Sequence, residues 1–316
     1  MYQPVRAPRH EHLTVRGLET RLTWWGEPST APVVLLHGFM DCGPAWQFLV
    51  DCLPKSWTCV APDWRGFGGT QWAPQGYWFP DYFADLEALL EALVPGRRAR
   101  VIAHSMGANI ASMYAGIRPD RLEWLANLDG IGLPRVAAGE APGRYERWLN
   151  ELVDPPKGTR YESVAQLAES LLKRNGKLTL PRAQFIARAW SRDVADERDV
   201  VSLRFDPGHR VVNPMLFRRD EAEACWARMT IPMLLLRAGR SEFLARLGDD
   251  GLTERVQAQY RNVRIVSLPE AGHSMHHEDP QTVARHIIDF ERDCAAAGAA
   301  AGTAASESAG APAQSR

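Results

Sequence analysis

Val101-Ile102-Ala103-His104-Ser105-Met106-Gly107-Ala108-Asn109 runs from an apolar segment of buried-strand type into small residues suited to a helix, with a serine at the junction. A strand that turns this sharply into a helix projects the serine hydroxyl. It also leaves unpaired helix N–H groups beside it, where they can stabilise charge on an attacked carbonyl oxygen. Read alone, Ser105 also fits an ordinary helix cap, though less well than a nucleophile. The segments around it decide between the two.

Outward from this junction, the sequence alternates strands and helices. Apolar runs at 33–37 (VVLLH), 58–62 (TCVAP), 100–104 (RVIAH), 125–129 (LANLD), 232–238 (PMLLLRA) and 263–269 (VRIVSLP) have the length of buried strands. Two β-rich runs near Leu13–Gly17 and Arg21–Trp25 suit a hairpin turning at Gly17–Thr20. Helical patterns cover Asp81–Val94, with Phe83, Leu86, Leu90 and Leu93 on one face, and Pro280–Cys294, with Pro280 in the first turn. The alternation predicts an α/β fold with a mostly parallel central sheet. Between 131 and 227 the rhythm stops, amphipathic helical windows take over and no convincing buried strand occurs. A connection this long needs structure of its own. It predicts a helical cap at 131–227 inserted into a core of 1–130 and 228–294. The Ala-, Gly- and Ser-rich residues 295–316 are expected to be disordered.

Composition narrows the functional classes. The 316 residues carry a formal net charge of -1, so nothing implies a nucleic-acid-binding face. No apolar run reaches membrane-spanning length, so membrane insertion is not expected. The N-terminus lacks the apolar core of a secretory signal, and the expected location is cytoplasmic. Five cysteines without Cys-x-x-Cys spacing do not suggest a disulfide scaffold.

Two further loops meet the same sheet edge. His37-Gly38-Phe39-Met40 follows the strand at 33–36. A glycine there permits a tight bend, and the N–H groups of Phe39 and Met106 can form an oxyanion hole, with His37 as a structural support. Pro269-Glu-Ala-Gly-His273-Ser-Met-His276-His277-Glu-Asp-Pro280 follows the last strand. His273 in this loop can take the Ser105 proton and return it to the leaving group. His276 and His277 read as loop supports. No carboxylate or cysteine spacing completes a metal site in the sequence, so no metal and no cofactor is expected.

Together these segments resemble the α/β-hydrolase superfamily over about residues 20–130 and 228–294. The nucleophile motif Gly-x-Ser-x-Gly stands as Ala103-His-Ser-Met-Gly107, with Ala103 in place of the first glycine. His37-Gly38 resembles the oxyanion loop and Gly272-His273 the histidine loop. Asp63-Trp-Arg-Gly-Phe-Gly-Gly-Thr70 resembles the family's Asp-x-Arg-Gly-x-Gly-x-Ser loop, which implies a structural role for Asp63 and Arg65. The resemblance implies the chain order serine, acid, histidine. It puts the acid after the strand at 232–238, where Glu242 stands. Asp129, after the preceding strand, is the alternative, with Asp249 and Asp250 behind both.

The implied function is that of a capped serine esterase. It would hydrolyse carboxylic esters of small, apolar or aromatic substrates through an acyl-enzyme, with Trp46, Trp64, Trp148 and Trp190 as candidate wall residues. A carbon–carbon bond hydrolase acting on vinylogous diketones, a lactonase or a thioesterase uses the same site. A noncatalytic binding protein on this fold is a further alternative. The expected partner is a small-molecule ester, and a homo-oligomer is neither implied nor excluded.

Overall fold

The computed structural model describes residues 2–309. Its main strands are β1 (Arg9–Val15), β2 (Leu18–Trp25), β3 (Val33–Leu36), β4 (Cys59–Pro62), β5 (Ala99–His104) and β6 (Leu122–Leu128). A minor set comprises β7 (Arg160–Tyr161), β8 (Ser191–Asp193) and β9 (Val201–Leu203), and β10 (Met233–Ala238) and β11 (Val263–Leu268) complete the main set. The main sheet has eight strands in the order β1-β2-β4-β3-β5-β6-β10-β11. The β1–β2 and β2–β4 pairs are antiparallel, and the other pairs are parallel.

The inner strands are continuous apolar runs because helices cover both faces. Their alternation still sorts side chains. Val34, Leu36, Val101 and Leu125 enter one core layer with Phe48 and Ile110. Val33, Leu35, Ile102 and Trp124 enter the opposite layer with Trp46 and Phe290. The β1–β2 hairpin turns at Arg16 and Gly17, both at positive φ (48° and 82°). That two-residue turn matches the strand twist, so both strands run longer than the sequence pattern suggested.

Within 131–227 the structure holds helices Ala141–Val153, Val164–Arg174, Leu180–Trp190 and Arg219–Arg228, together with a small sheet in the order β7-β9-β8. Strands of two or three residues are too short for periodicity to reveal. The helix Arg219–Arg228 packs on the core helix Ser105–Ile117, where Gly116 lets the Cys225 carbonyl approach. The last helix extends from Pro280 to Ala309, whereas disorder was expected from 295. Alanine has the highest helix propensity, and that carries the helix past the point where apolar periodicity ends. The rest of that tail, 310–316, lies outside the described residues. All five cysteines are free. Among the described residues no helix is long and apolar enough to cross a membrane.

Several polar and aromatic contacts tie the inserted segment to the core. Trp190 Nε1 donates to Asp41 Oδ1 at 2.7 Å. Tyr77 OH donates to Asp206 at 2.6 Å. His209 is stacked between Phe67 and Tyr77, with centroids at 3.9 and 3.5 Å, and its Nε2–H donates to the Arg65 carbonyl. Burial pushes the His209 imidazole down from 6.5 to about 3. As pH falls below 6.5 the unfolded chain takes up a proton at His209, whereas the folded chain does not until about 3. Stability therefore falls with falling pH in that window, by up to about 1.4 kcal/mol per pH unit. Urea unfolding at pH 6.5 and pH 5 should show wild type losing up to about 2 kcal/mol more than His209→Gln. Equal losses would mean that His209 does not stay neutral in the folded chain.

Candidate active site

Ser105 sits where β5 becomes the helix Ser105–Ile117, at φ 50°. A non-glycine residue holds such a φ only when its surroundings enforce it. The packing around it is close. A Cβ at Gly107 would run into the Leu36 carbonyl oxygen, and one at Gly130 would lie 2.7 Å from the Ser105 carbonyl oxygen. Ala103, which departs from the family's glycine, is fully buried and its methyl group is accommodated in the core.

His273 Nε2 lies 2.8 Å from Ser105 Oγ. Its Nδ1 lies 2.7 Å from Asp129 Oδ2. A carboxylate can only accept, so Nδ1 carries the proton and Nε2 presents its lone pair to the serine hydroxyl. Asp129 follows β6 directly, at φ 58°, and its side chain is 2% exposed. Its Oδ1 accepts from the Ala238 N–H at 3.1 Å. Asn127 clamps this turn with both ends of its amide. Nδ2 donates to the Gly130 carbonyl at 2.7 Å and Oδ1 accepts from the Gly130 N–H at 2.8 Å. The carboxylate is thus aimed at His273 by the backbone of two strands.

Glu242 does not take the place expected of it. It opens the short helix Glu242–Leu247, its side chain is 70% exposed, and it faces Arg246 at 3.9 Å. The space beside His273 at the end of β10 is filled by its neighbours. Ser241 Oγ lies 3.5 Å from Nδ1, and the Phe243 ring centroid 4.3 Å from the imidazole. Asp249 and Asp250 lie in the turn Gly248–Gly251, with Asp250 paired to Arg135 and Arg219. Asp129 is therefore the carboxylate that meets the histidine.

Phe39 and Met106 flank Ser105 on one cavity wall. Met106 is the second residue of its helix, so its N–H has no intrahelical acceptor. His37 braces the Phe39 loop from the core: Nδ1–H donates to the Gly38 carbonyl at 2.7 Å, and Nε2 accepts from the Trp64 N–H at 2.9 Å. A Cβ at Gly38 would come 2.8 Å from His104 Nδ1 and 3.1 Å from Ser105 Cβ, so only glycine allows this approach. Asp63 accepts from Gly43 N–H, Gly69 N–H and Arg21 Nε. Arg65 makes a two-pronged pair with Asp85, each bond 2.6 Å. Both residues hold loops and stand outside the cavity wall.

The cavity above Ser105 measures about 860 Å³. Its aromatic wall comes from Phe39, Trp78, Phe79, Phe83, Tyr145, Phe217 and Phe243 rather than from the tryptophans singled out in the sequence. Trp46 and Trp64 are buried core residues, Trp190 ties the inserted segment to Asp41, and Trp148 is half-buried on the mostly exposed helix Ala141–Val153. Behind His273 lies a second group that sequence spacing did not reveal: His104, His276, His277 and Asp41, all buried. Burial, with neighbouring His276, holds the His104 imidazole well below its ordinary range. Burial and His276 likewise push His277 down to about 3.

A serine, an imidazole and a carboxylate in line at the carboxyl edge of a mostly parallel sheet define a hydrolase-type site. The alpha/beta hydrolase family model matches residues 33–286, and the chain belongs to that family. It is similar to a serine hydrolase-like protein of Danio rerio, with 27% identity over 90% of this chain and 89% of that one. It is also similar to a probable serine hydrolase of Drosophila melanogaster, 30% identical over 85% of this chain and 83% of that one. Among solved structures, the thioesterase domain from the curacin biosynthetic pathway superposes with a TM-score of 0.77, at 21% identity over 89% of this chain and 99% of that one.

The geometry separates the two candidate acids. Asp129→Asn should slow Ser105 labelling by a fluorophosphonate probe about 10³- to 10⁴-fold. Glu242→Gln should leave the rate within about twofold. The reverse order would return the acid to the β10 loop.

Proposed function

We propose that this hydrolase cleaves carboxylic esters of small apolar or aromatic substrates through an acyl-enzyme on Ser105. The observation that carries the reading is the Asp129–His273–Ser105 line, at 2.7 and 2.8 Å, opening into an apolar cavity. In the first step Ser105 Oγ attacks the ester carbonyl carbon and His273 Nε2 takes the hydroxyl proton. Asp129 stabilises the resulting imidazolium, and the N–H groups of Phe39 and Met106 receive the developing oxyanion. Collapse breaks the ester bond, and His273 returns the proton to the departing alkoxide. His273 then draws a proton from water, whose oxygen attacks the acyl carbon, and Ser105 is restored as the acid leaves.

The walls support the substrate class. Phe79, Phe83, Met113, Phe217 and Phe243 offer apolar surface to an acyl or aryl group, and Asn109, Arg144, Asn213, Arg218 and Glu221 supply the polar lining beyond the site itself. Leu133, Arg144, Tyr145 and Phe217 come from the inserted segment, which we assign as a cap over the cavity. Five free thiols fit a reducing compartment, and the cytoplasm is the proposed location.

The test is initial-rate hydrolysis of p-nitrophenyl acetate, butyrate and octanoate by wild type and Ser105→Ala. Wild type should turn over these esters, with kcat/KM higher for butyrate than for acetate. Ser105→Ala, with folding retained, should lose about 10³-fold or more. Equal rates in the two proteins would exclude Ser105-dependent ester cleavage. Activity of wild type on a vinylogous diketone but on none of the esters would replace the ester reading with carbon–carbon bond hydrolysis.

A further inference from the structure

The group behind His273 has the makings of a ligand set. Asp41, His104 and His276 are 6%, 5% and 1% exposed. One ligand atom from each lies within 4.8 Å of the others. Asp41 Oδ1 is occupied by the Cys42 N–H at 2.8 Å and Trp190 Nε1 at 2.7 Å. Oδ2 instead faces His276 Nε2 at 3.6 Å and His277 Nε2 at 3.7 Å. Two donors about 2.1 Å from a tetrahedral Zn²⁺ stand about 3.4 Å apart, so these spacings are near those of a filled site.

The histidines also have free donor atoms. His104 Nδ1 and His276 Nδ1 are sealed from solvent without a hydrogen-bond partner, and Nε2 of His276 and of His277 meet only Asp41 Oδ2, beyond ordinary hydrogen-bond length. Buried polar atoms in native proteins are normally satisfied, so two orphaned nitrogens and two loosely paired ones in one cluster call for an occupant. His104 Nε2–H donates to the His273 carbonyl at 2.9 Å, which fixes its tautomer and leaves the Nδ1 lone pair unprotonated. Imidazoles beside one carboxylate suit Zn²⁺, Co²⁺, Ni²⁺ or Cu²⁺ rather than Mg²⁺ or Ca²⁺.

We propose that Asp41, His104 and His276, with His277 at the edge, bind one divalent transition-metal ion of the Zn²⁺ class behind the Ser105–His273 pair. His104 links this site to the reaction site, because its ring lies 4.7 Å from that of His273 and it holds the His273 main chain. A bound ion therefore acts on His273 through His104 and lowers turnover. That consequence rests on the hydrolase reading; the binding does not.

Co²⁺ is the probe, since its visible bands report nitrogen and oxygen coordination. Chelator-treated full-length protein is given Co²⁺ both when folded and during refolding from urea, because the site is sealed. Wild type should retain one equivalent after desalting, and Asp41→Asn and His276→Gln should each bind at least tenfold more weakly. No retained Co²⁺ by either route, or equal binding in both variants, overturns the proposal. If either variant fails to fold, anomalous diffraction from Zn²⁺-loaded wild-type crystals decides. Density between Asp41 and His276 supports the site, and density only at Ser105–His273 overturns it. In turnover of p-nitrophenyl butyrate, Zn²⁺ should lower kcat at constant KM. Inhibition competitive with the ester would place the ion at Ser105 and overturn the proposal.

Discussion

The parallel register between β5 and β6 is the constraint from which the site follows. His104 pairs with Leu128 across that ladder, so Ser105 and Asp129 are the next residues on adjacent strands. Each leaves its strand at positive φ, 50° for Ser105 and 58° for Asp129. The two side chains therefore emerge side by side at the carboxyl edge. β10 enters the same register, with Leu236 opposite Leu128, and its Leu236 carbonyl accepts from the Asp129 N–H. A slip of one residue would turn the side chains to the opposite face and separate the groups.

Close backbone approach keeps that register useful. Gly107 brings the serine helix against the Leu36 and His37 carbonyls, and Gly130 lets the β6 turn lie against the Ser105 carbonyl. Asn127 closes the turn, and His37 braces the facing loop from below. Each limits where Ser105, His273 and the Phe39 loop can stand. Positioning on rigid elements lets the hydrogen bonds form before substrate arrives. The segment 131–227 adds Leu133, Tyr145 and Phe217 to the cavity lining. It is held by specific contacts, such as Trp190 to Asp41 and the stacked His209, as well as by packing.

Ser105 and His273 were legible because each stands in a local pattern, a strand running into small residues and a loop between the last strand and helix. The acid was not. Glu242 and Asp129 each follow a buried strand, and nothing local says which of β6 and β10 lies beside β5. Non-local side-chain geometry decides the matter: Asp129 Oδ2 lies 2.7 Å from His273 Nδ1, whereas Glu242 points to solvent and Ser241 and Phe243 stand beside the imidazole. The cavity wall was hidden for a related reason. Tryptophans are large enough to serve either core or pocket, and the layers of this fold bury Trp46 and Trp64 in the core.

Sequence by itself determined the α/β class, the serine-bearing turn, the histidine loop and the loop role of Asp63 and Arg65. Each is written in the order of neighbouring residues, through apolar runs, glycines at tight bends and breaks in periodicity. Tertiary structure alone decided that Asp129 meets His273, that phenylalanines, Tyr145 and Trp78 form the aromatic wall, and that Asp41, His104 and His276 converge in one buried cluster. Those relations join residues far apart in the chain. They are set by strand order, register and the packing of layers, which short-range patterns do not encode.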